Sequence, residues 1–435
     1  MGLLDSIALG MQSAPMAPAG VHAARLAAFA HARAKGVPRT TEEDWKYTDL
    51  SALARQDFAF ARPVEVDLAA LPLIALRAHR LVFVNGHFSA THSALGELPS
   101  GVAVHFLREL SLDDPGRVAA LLARQGALES KVFTALNAAA AHDGVVLEIA
   151  AECRLEQPLL VIFLSASESV PLLVAPYLYL SAGAHSQATV IELHAGQGTA
   201  PYLTNAYTRI DAARAARVTH YRVISDTPQA THIGQLQIEV GADSEVENFS
   251  LALGGQLVRL DIDCSLAAPG GKIALNGVFM AGCNQHIDHH TRVDHRASHT
   301  SSDEVYKGIA DANGRGVFNG KIIVQPGTEK IVATQASHNL LLSCEAEIDT
   351  KPELEIYASD LRCTHGATVG QLDDDALFYL QTRGVPETQA RALLTYGFVQ
   401  AAVAAISIPE LQALVARRFA SDNPGLARLL TGDLS

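Results

Sequence analysis

Short runs of β-branched and apolar residues recur from Val145 onward, separated by small, polar or turn-forming residues. Gly183, Ala212, Gly241, Gly270, His299 and Gly327 stand in turn-like settings 29, 29, 29, 29 and 28 residues apart. A strand–turn unit of that length cannot bury its own apolar face, whereas stacked units complete one continuous core. Leu159–Leu164, Thr189–Leu193, Gln235–Val240 and Lys321–Val324 are strand runs, and the Gln235 run alternates as a strand with one face inward does. A sandwich or barrel has no need of one long period. The pattern predicts a β-solenoid core over residues 145–371.

The flanks read differently. Val21 to Lys35 is expected to be a helix with Leu26 and Phe29 on one stripe, stopped by Gly36 and Pro38. Thr41 is expected to cap a second helix with its hydroxyl. Leu81–Val84 reads as a strand leading into the turn dipeptide Asn85-Gly86, and Val118 to about Ala141 reads as helical. Residues 1–144 are thus a mostly helical unit, with a frayed terminus at Met1–Ser6 despite a short lipidation-like pattern there. Residues 372–435 form a second helical unit. Asp373-Asp-Asp375 opens its first helix, where negative charge suits the N–H dipoles. Gly384 ends that helix, Pro386-Glu387 opens the next, and Ser407-Ile-Pro-Glu410 reads as a capping box for the last.

Composition narrows the function. A net charge of −13 repels phosphate backbones and argues against nucleic acid as a partner. Five cysteines, odd in number and scattered with no C-x-x-C pair, fit reduced thiols in the cytoplasm rather than a disulfide framework. No apolar run approaches the ~18 residues of a membrane span.

Three constellations could carry chemistry. Gly314-Arg-Gly-Val-Phe-Asn-Gly-Lys321 looks like a phosphate loop, but Arg315 stands five before Gly320 and Ile322 follows Lys321. Spacing, the missing Ser or Thr and a continuing strand exclude an ATP site there. His286, His289, His290, His295 and His299 are dense, yet their spacing matches no zinc pattern and His289 and His290 would face opposite ways in a strand. They read as hydrogen-bonding residues on a solenoid surface or interface. Cys363-Thr-His365 would place thiol and imidazole side by side on one strand face. That pair suits iron or an iron–sulfur cluster, but two ligands make half a site. Either the pair only packs, or another chain supplies the rest. No Ser/His/Asp or Cys/His hydrolase signature is present.

Several long segments resemble one family. They are Tyr306-Lys-Gly-Ile309, Gly314–Lys321, His338-Asn-Leu-Leu-Leu-Ser343, Ala346–Tyr357, Cys363-Thr-His-Gly-Ala-Thr-Val-Gly370 and Leu377-Phe-Tyr-Leu-Gln-Thr-Arg-Gly384. Together they resemble the SufB/SufD family of iron–sulfur cluster assembly scaffolds, and Asp44-Trp-Lys-Tyr-Thr-Asp49 resembles its SufD branch. The resemblance implies a right-handed parallel β-helix flanked by N-terminal and C-terminal α-helical domains. It implies a non-catalytic scaffold subunit of a SufBCD-type complex, paired with a SufB-like paralogue and docking a SufC-like ATPase through the C-terminal helices. His365, with Cys363 beside it, would lie at the paralogue interface where a transient cluster forms. Cys344 falls near an interface cysteine of the SufB branch. The resemblance gives no role to the histidines 286–299, and nothing supports a flavin site. A homodimer in the absence of partners stays open.

A second class is a carbohydrate-active β-helix enzyme, a lyase or esterase, with Asp288, Asp294 and the nearby histidines as acids and bases. The helical C-terminus and the reduced-thiol profile do not suit a secreted polysaccharide enzyme.

Overall fold

The computed structural model describes residues 2–13, 17–126 and 131–419. From Tyr177 to Gln371 successive strands go alternately to two sheets, an 11-stranded sheet one and a 10-stranded sheet two. Each coil thus contributes one strand to each sheet, and neighbouring coils pair in parallel, giving a β-solenoid of about 8 turns. In sheet one Tyr202 pairs with Ala230, Thr231 with Leu257, Leu257 with His286, His286 with Arg315 and Arg315 with Glu347. The repeat therefore varies around the expected period.

The turn from sheet one to sheet two explains the period. His185, Ala215, Asp243, Gly270 and His299 each take a left-handed conformation there. The turns stack by backbone hydrogen bonds, His185 N to Arg214 O at 2.9 Å, Ala215 N to Ala242 O at 2.8 Å and Asp243 N to Pro269 O at 3.0 Å. Stacked left-handed residues need small or polar side chains, which is why the turns read as breaks.

Over the first coils both faces of both sheets are covered. Leu236, Ile238 and Val240 point into the lumen as the alternation predicts, but Gln235 and Gln237 on the other face are buried as well. They lie beneath the N-terminal segment, whose Phe133 and Trp45 pack with Tyr177, Tyr207 and Ile233 on the outside of sheet one. The outer face of sheet two carries Ile191, Leu193, Tyr221, Val223, Phe249 and Leu251 against Val399, Val403, Leu411, Val415 and Phe419 of the C-terminal helices.

The two ends of the solenoid differ. At the first end, the strand His79–Val84 turns through Asn85 and Gly86, both left-handed, into His87–Phe88. The strand Val102–Phe106 adds antiparallel to Val145–Ile149. Phe83, Phe88, Phe106 and Phe163 fill that end of the lumen, with Phe88 stacked on Phe106 at 3.8 Å. At the other end the edge strands Glu347–Ile356 and Asp360–Gln371 have a neighbour on one side only, and the last is largely exposed.

The flanks depart from expectation in detail. The helix runs Ala19–Lys35 and buries Val21, Arg25, Ala28, Phe29 and Ala32, while Leu26 faces solvent. The first residues are not frayed: Leu3–Ser13 is a helix with Leu3 and Ile7 buried, and Met1 lies outside the described residues. Thr41 caps nothing, because the turn there is a short 3-10 helix, Glu43–Trp45, without a side-chain cap. The Val118–Ala141 stretch contains two helices, Pro115–Gly126 and Val132–Ala140. At the C-terminus Asp373 accepts from the backbone N–H groups of Asp375 and Ala376 and opens Asp374–Thr382, as the charge run implies. Ser407 does not cap the helix Pro409–Phe419; its hydroxyl meets Tyr221 at 2.9 Å.

Candidate functional site

Cys363 and His365 both lie on the last strand, Asp360–Gln371. Cys363 pairs with Ala333 and His365 with Gln335, and both of those residues are buried in the lumen. Thiol and imidazole therefore share the inward face, as their spacing requires. No coil stacks beyond them, so the face that would be interior one coil earlier is open here. His365 is exposed. Cys363 is half-buried against Leu361, Leu354 and Ile331, and burial pushes its thiol up from the ordinary value. Cys344 is exposed in the loop between Glu329–Leu341 and Glu347–Ile356, and all five cysteines are free thiols.

The phosphate-loop look-alike is a strand, Arg315–Val324. Its glycines serve close approach between coils. A Cβ at Gly314 would lie 2.3 Å from the carbonyl oxygen of Ala281, at Gly316 2.6 Å from the Phe279 ring and at Gly320 2.3 Å from the Gln335 amide. This leaves no loop entering a helix to cradle a phosphate.

The histidines separate by strand direction. His289 and His295 point into the lumen and are buried, whereas His286 and His290 face outward. His295 lies 2.8 Å from the Thr300 hydroxyl and 2.9 Å from that of Ser302. His289 stacks on Phe279, and burial pulls its imidazole down to about 4. His299 occupies a left-handed turn. Among the described residues, no group of three or more His, Cys, Asp or Glu could hold a metal ion. The expected surface placement is thus wrong for His289 and His295, because sheet two closes over them.

His286 and His290 belong to a clasp between the N-terminal segment and sheet one. Arg259 donates to Asp288 at 2.6 Å, to Asp261 at 3.0 Å and to the Asp44 carbonyl at 2.8 Å, with its guanidinium 4.3 Å from the Trp45 ring centroid. Thr48 donates to Asp288, and His286 Nε2 lies 2.8 Å from the same hydroxyl. His290 Nε2 is 3.0 Å from Asp288. Burial opposes ionisation of Asp288, but Arg259 and His290 outweigh it and hold the carboxyl far below the carboxylate range. The Asp44–Asp49 segment is therefore a lock on the solenoid, a role its local pattern could not reveal with partners more than 200 residues away. Thr48→Val is expected to destabilise the chain by about 1–3 kcal/mol by stripping a donor from a buried carboxylate. An unchanged urea midpoint would show that the clasp does not depend on it. Asp288 and Asp294 are buried and committed, Asp294 to Arg296 and Gln325, so neither is an open acid or base of a carbohydrate groove.

Inside the first coils lies a denser ionic group. Glu192 accepts from Thr208 at 2.9 Å, His194 at 2.7 Å, His220 at 3.1 Å and Arg222 at 3.0 Å, all buried. Against the cost of burial, Arg222 and the two imidazoles hold the Glu192 carboxyl well below its ordinary value. Four donors converge on the one carboxylate, an arrangement that suits a structural brace, although His194 Nδ1 and one Arg222 NH group lack a partner among the described residues.

The sequence matches known proteins over most of its length. A family model described as the SUF system FeS cluster assembly, SufBD core domain, matches residues 163–398, and one described as the SufBD protein N-terminal region matches residues 13–161. The chain belongs to the SufB/SufD family. This SufB/SufD chain is 32% identical over 387 residues to an iron-sulfur cluster assembly SufBD family protein of Synechocystis, covering 86% of this chain and 85% of that one. It is 31% identical over 404 residues to the iron-sulfur cluster assembly protein SufD of Escherichia coli, covering 90% and 91%. It is 26% identical over 370 residues to the chloroplastic protein ABCI7 of Arabidopsis thaliana, covering 82% and 77%. Membership in an iron–sulfur assembly family sets the carbohydrate-enzyme reading aside. No described helix is long and apolar enough to cross a membrane.

Proposed function

We propose that this SufB/SufD chain is a non-catalytic cytoplasmic scaffold subunit whose open solenoid end pairs with a SufB-like paralogue to complete a transient iron–sulfur site. The observation that carries the reading is the last strand. It presents Cys363 and His365 on an uncapped inward face, next to two exposed strand edges. Unpaired edges are templates for further strand pairing. Thiol and imidazole are half of a cluster's ligand set, and a partner chain would supply the remainder. The incoming iron and sulfide are cargo in this reading.

The second partner is a SufC-like ATPase on the C-terminal helices. Asp374–Thr382 buries none of its side chains and leaves Phe378 66% and Tyr379 57% exposed, a pair of aromatic anchors of the kind interfaces use. Residues 1–144 would serve as the clasped N-terminal unit, 145–371 as the core and 372–435 as the docking unit, of which 420–435 lie outside the described residues.

His365→Ala is expected to leave complex formation with the paralogue and ATPase intact while lowering cluster yield several-fold. The measurement is reconstitution of the co-purified complex with ferrous iron and sulfide, followed by absorbance. Normal yield from that variant would overturn the site assignment.

A further inference from the structure

One buried acid in the lumen has no counter-charge and stands in line with the open end. Leu275, Glu304, Gln335 and His365 occupy the same inward position in successive strands of sheet two. With strands spaced about 4.8 Å apart, Glu304 lies about 10 Å behind the last coil. Glu304 is fully buried. Thr291 Oγ1 donates to its Oε2 at 3.0 Å, and Gln335 Nε2 donates to the same oxygen at 2.7 Å. Its Oε1 has no partner among the described residues, and neither has Gln335 Oε1. Gly320 across the lumen leaves the space that the Gln335 amide occupies.

The titratable groups around Glu304 offer no cation. From sheet one the lumen receives Cys264, whose thiol burial pushes far up, and His289 and His295, which burial keeps neutral at pH 7. From its own strand come Tyr306, inward and buried, and Asp303, whose negative charge adds to the effect. Buried carboxyls normally sit beside a cation, as Glu192 and Asp288 do in this same chain. Without one, burial pushes Glu304 up to about 7, against the two hydrogen bonds it accepts. A carboxyl poised near neutrality can both take up and give back a proton at working pH.

We propose that Glu304 is a proton carrier for the open-end site, placed two strands behind His365 and aligned with it through Gln335. This rests on the reading of Cys363 and His365 as that site. Loading iron onto the Cys363 thiol releases its proton, while the imidazole of His365 binds through its free nitrogen. The Glu304 carboxylate takes up that proton on Oε1, becoming the neutral acid. It later returns the proton to solvent entering the open end. While ionised, its charge is stabilised by the Thr291 hydroxyl and the Gln335 amide.

Two measurements test this. Difference infrared spectroscopy of the full chain across roughly pH 5.5–8.5 should show a protonated-carboxyl band that titrates near 7. The band should vanish in Glu304→Gln and persist with a moved midpoint in Glu304→Asp. Absence of any such band above pH 6 overturns the proposal by itself. In the reconstituted complex, cluster formation from ferrous iron and sulfide should show a pH inflection that Glu304→Gln loses and Glu304→Asp keeps. An unchanged profile in Glu304→Gln makes the residue structural and overturns the proposal. Normal assembly by His365→Ala removes the underlying site, and the proton role with it, even where the infrared band is present.

Discussion

Replacing Glu192 by Gln is expected to lower the stability of the chain by about 3–5 kcal/mol. Four donors converge on the carboxylate, and Arg222 among them is fully buried. Gln keeps the shape but leaves the guanidinium charged and unpaired in the lumen. The double variant Glu192→Gln, Arg222→Met should recover much of the loss, since a buried ion pair is often matched by apolar groups of similar size. Urea denaturation followed by circular dichroism reads both. A single variant within about 1 kcal/mol of the parent would mean that Arg222 reaches water. The carboxyl lies below its ordinary value, so its contribution is present above the unfolded-chain value and is lost as pH falls through the folded one.

Glu304 should behave in the opposite way. Its folded value is raised to about 7 from an ordinary 4.5. As pH rises between these values the unfolded chain gives up the proton while the folded chain keeps it, so the native state loses stability across that window. Glu304→Gln, which cannot ionise, is therefore expected to match the parent near pH 4. It should exceed the parent by about 3 kcal/mol above pH 7, the difference of two and a half pKa units. Denaturation midpoints at pH 4 and pH 8 decide it. A gap of equal size at both would show that packing, not ionisation, separates the variants.

The opposite behaviour of two buried glutamates was not legible in the sequence, and the reason is physical. In Thr189–Leu193 polarity alone would turn the face that carries Glu192 toward water and the face of Ile191 and Leu193 inward. Here Val190, Glu192 and His194 face the lumen, while Ile191 and Leu193 pack beneath the C-terminal helices. With both faces covered, polarity no longer reports direction. The period was legible because it resides in the turns. Gly270, His299 and Gly327 are themselves left-handed residues, and Gly183, Ala212 and Gly241 stand two or three positions before His185, Ala215 and Asp243. The Cys363–His365 pair was legible as a shared face because a strand fixes that geometry between residues two apart. That its face is the open end depends on where stacking stops, which no local pattern encodes. The Asp44–Asp49 clasp failed as a capped helix because its side chains answer to Arg259 and Asp288.

The unequal ends of the solenoid set the valence of the molecule. One end is stoppered by Phe83, Phe88, Phe106 and Phe163, and the other ends in two bare strands. A rod with two bare ends would polymerise head to tail, since each addition would recreate the surface it consumed. A rod with one bare end can join once, and the product has no bare end left. Under the pairing proposed above, growth would stop at two subunits without any separate device to halt it.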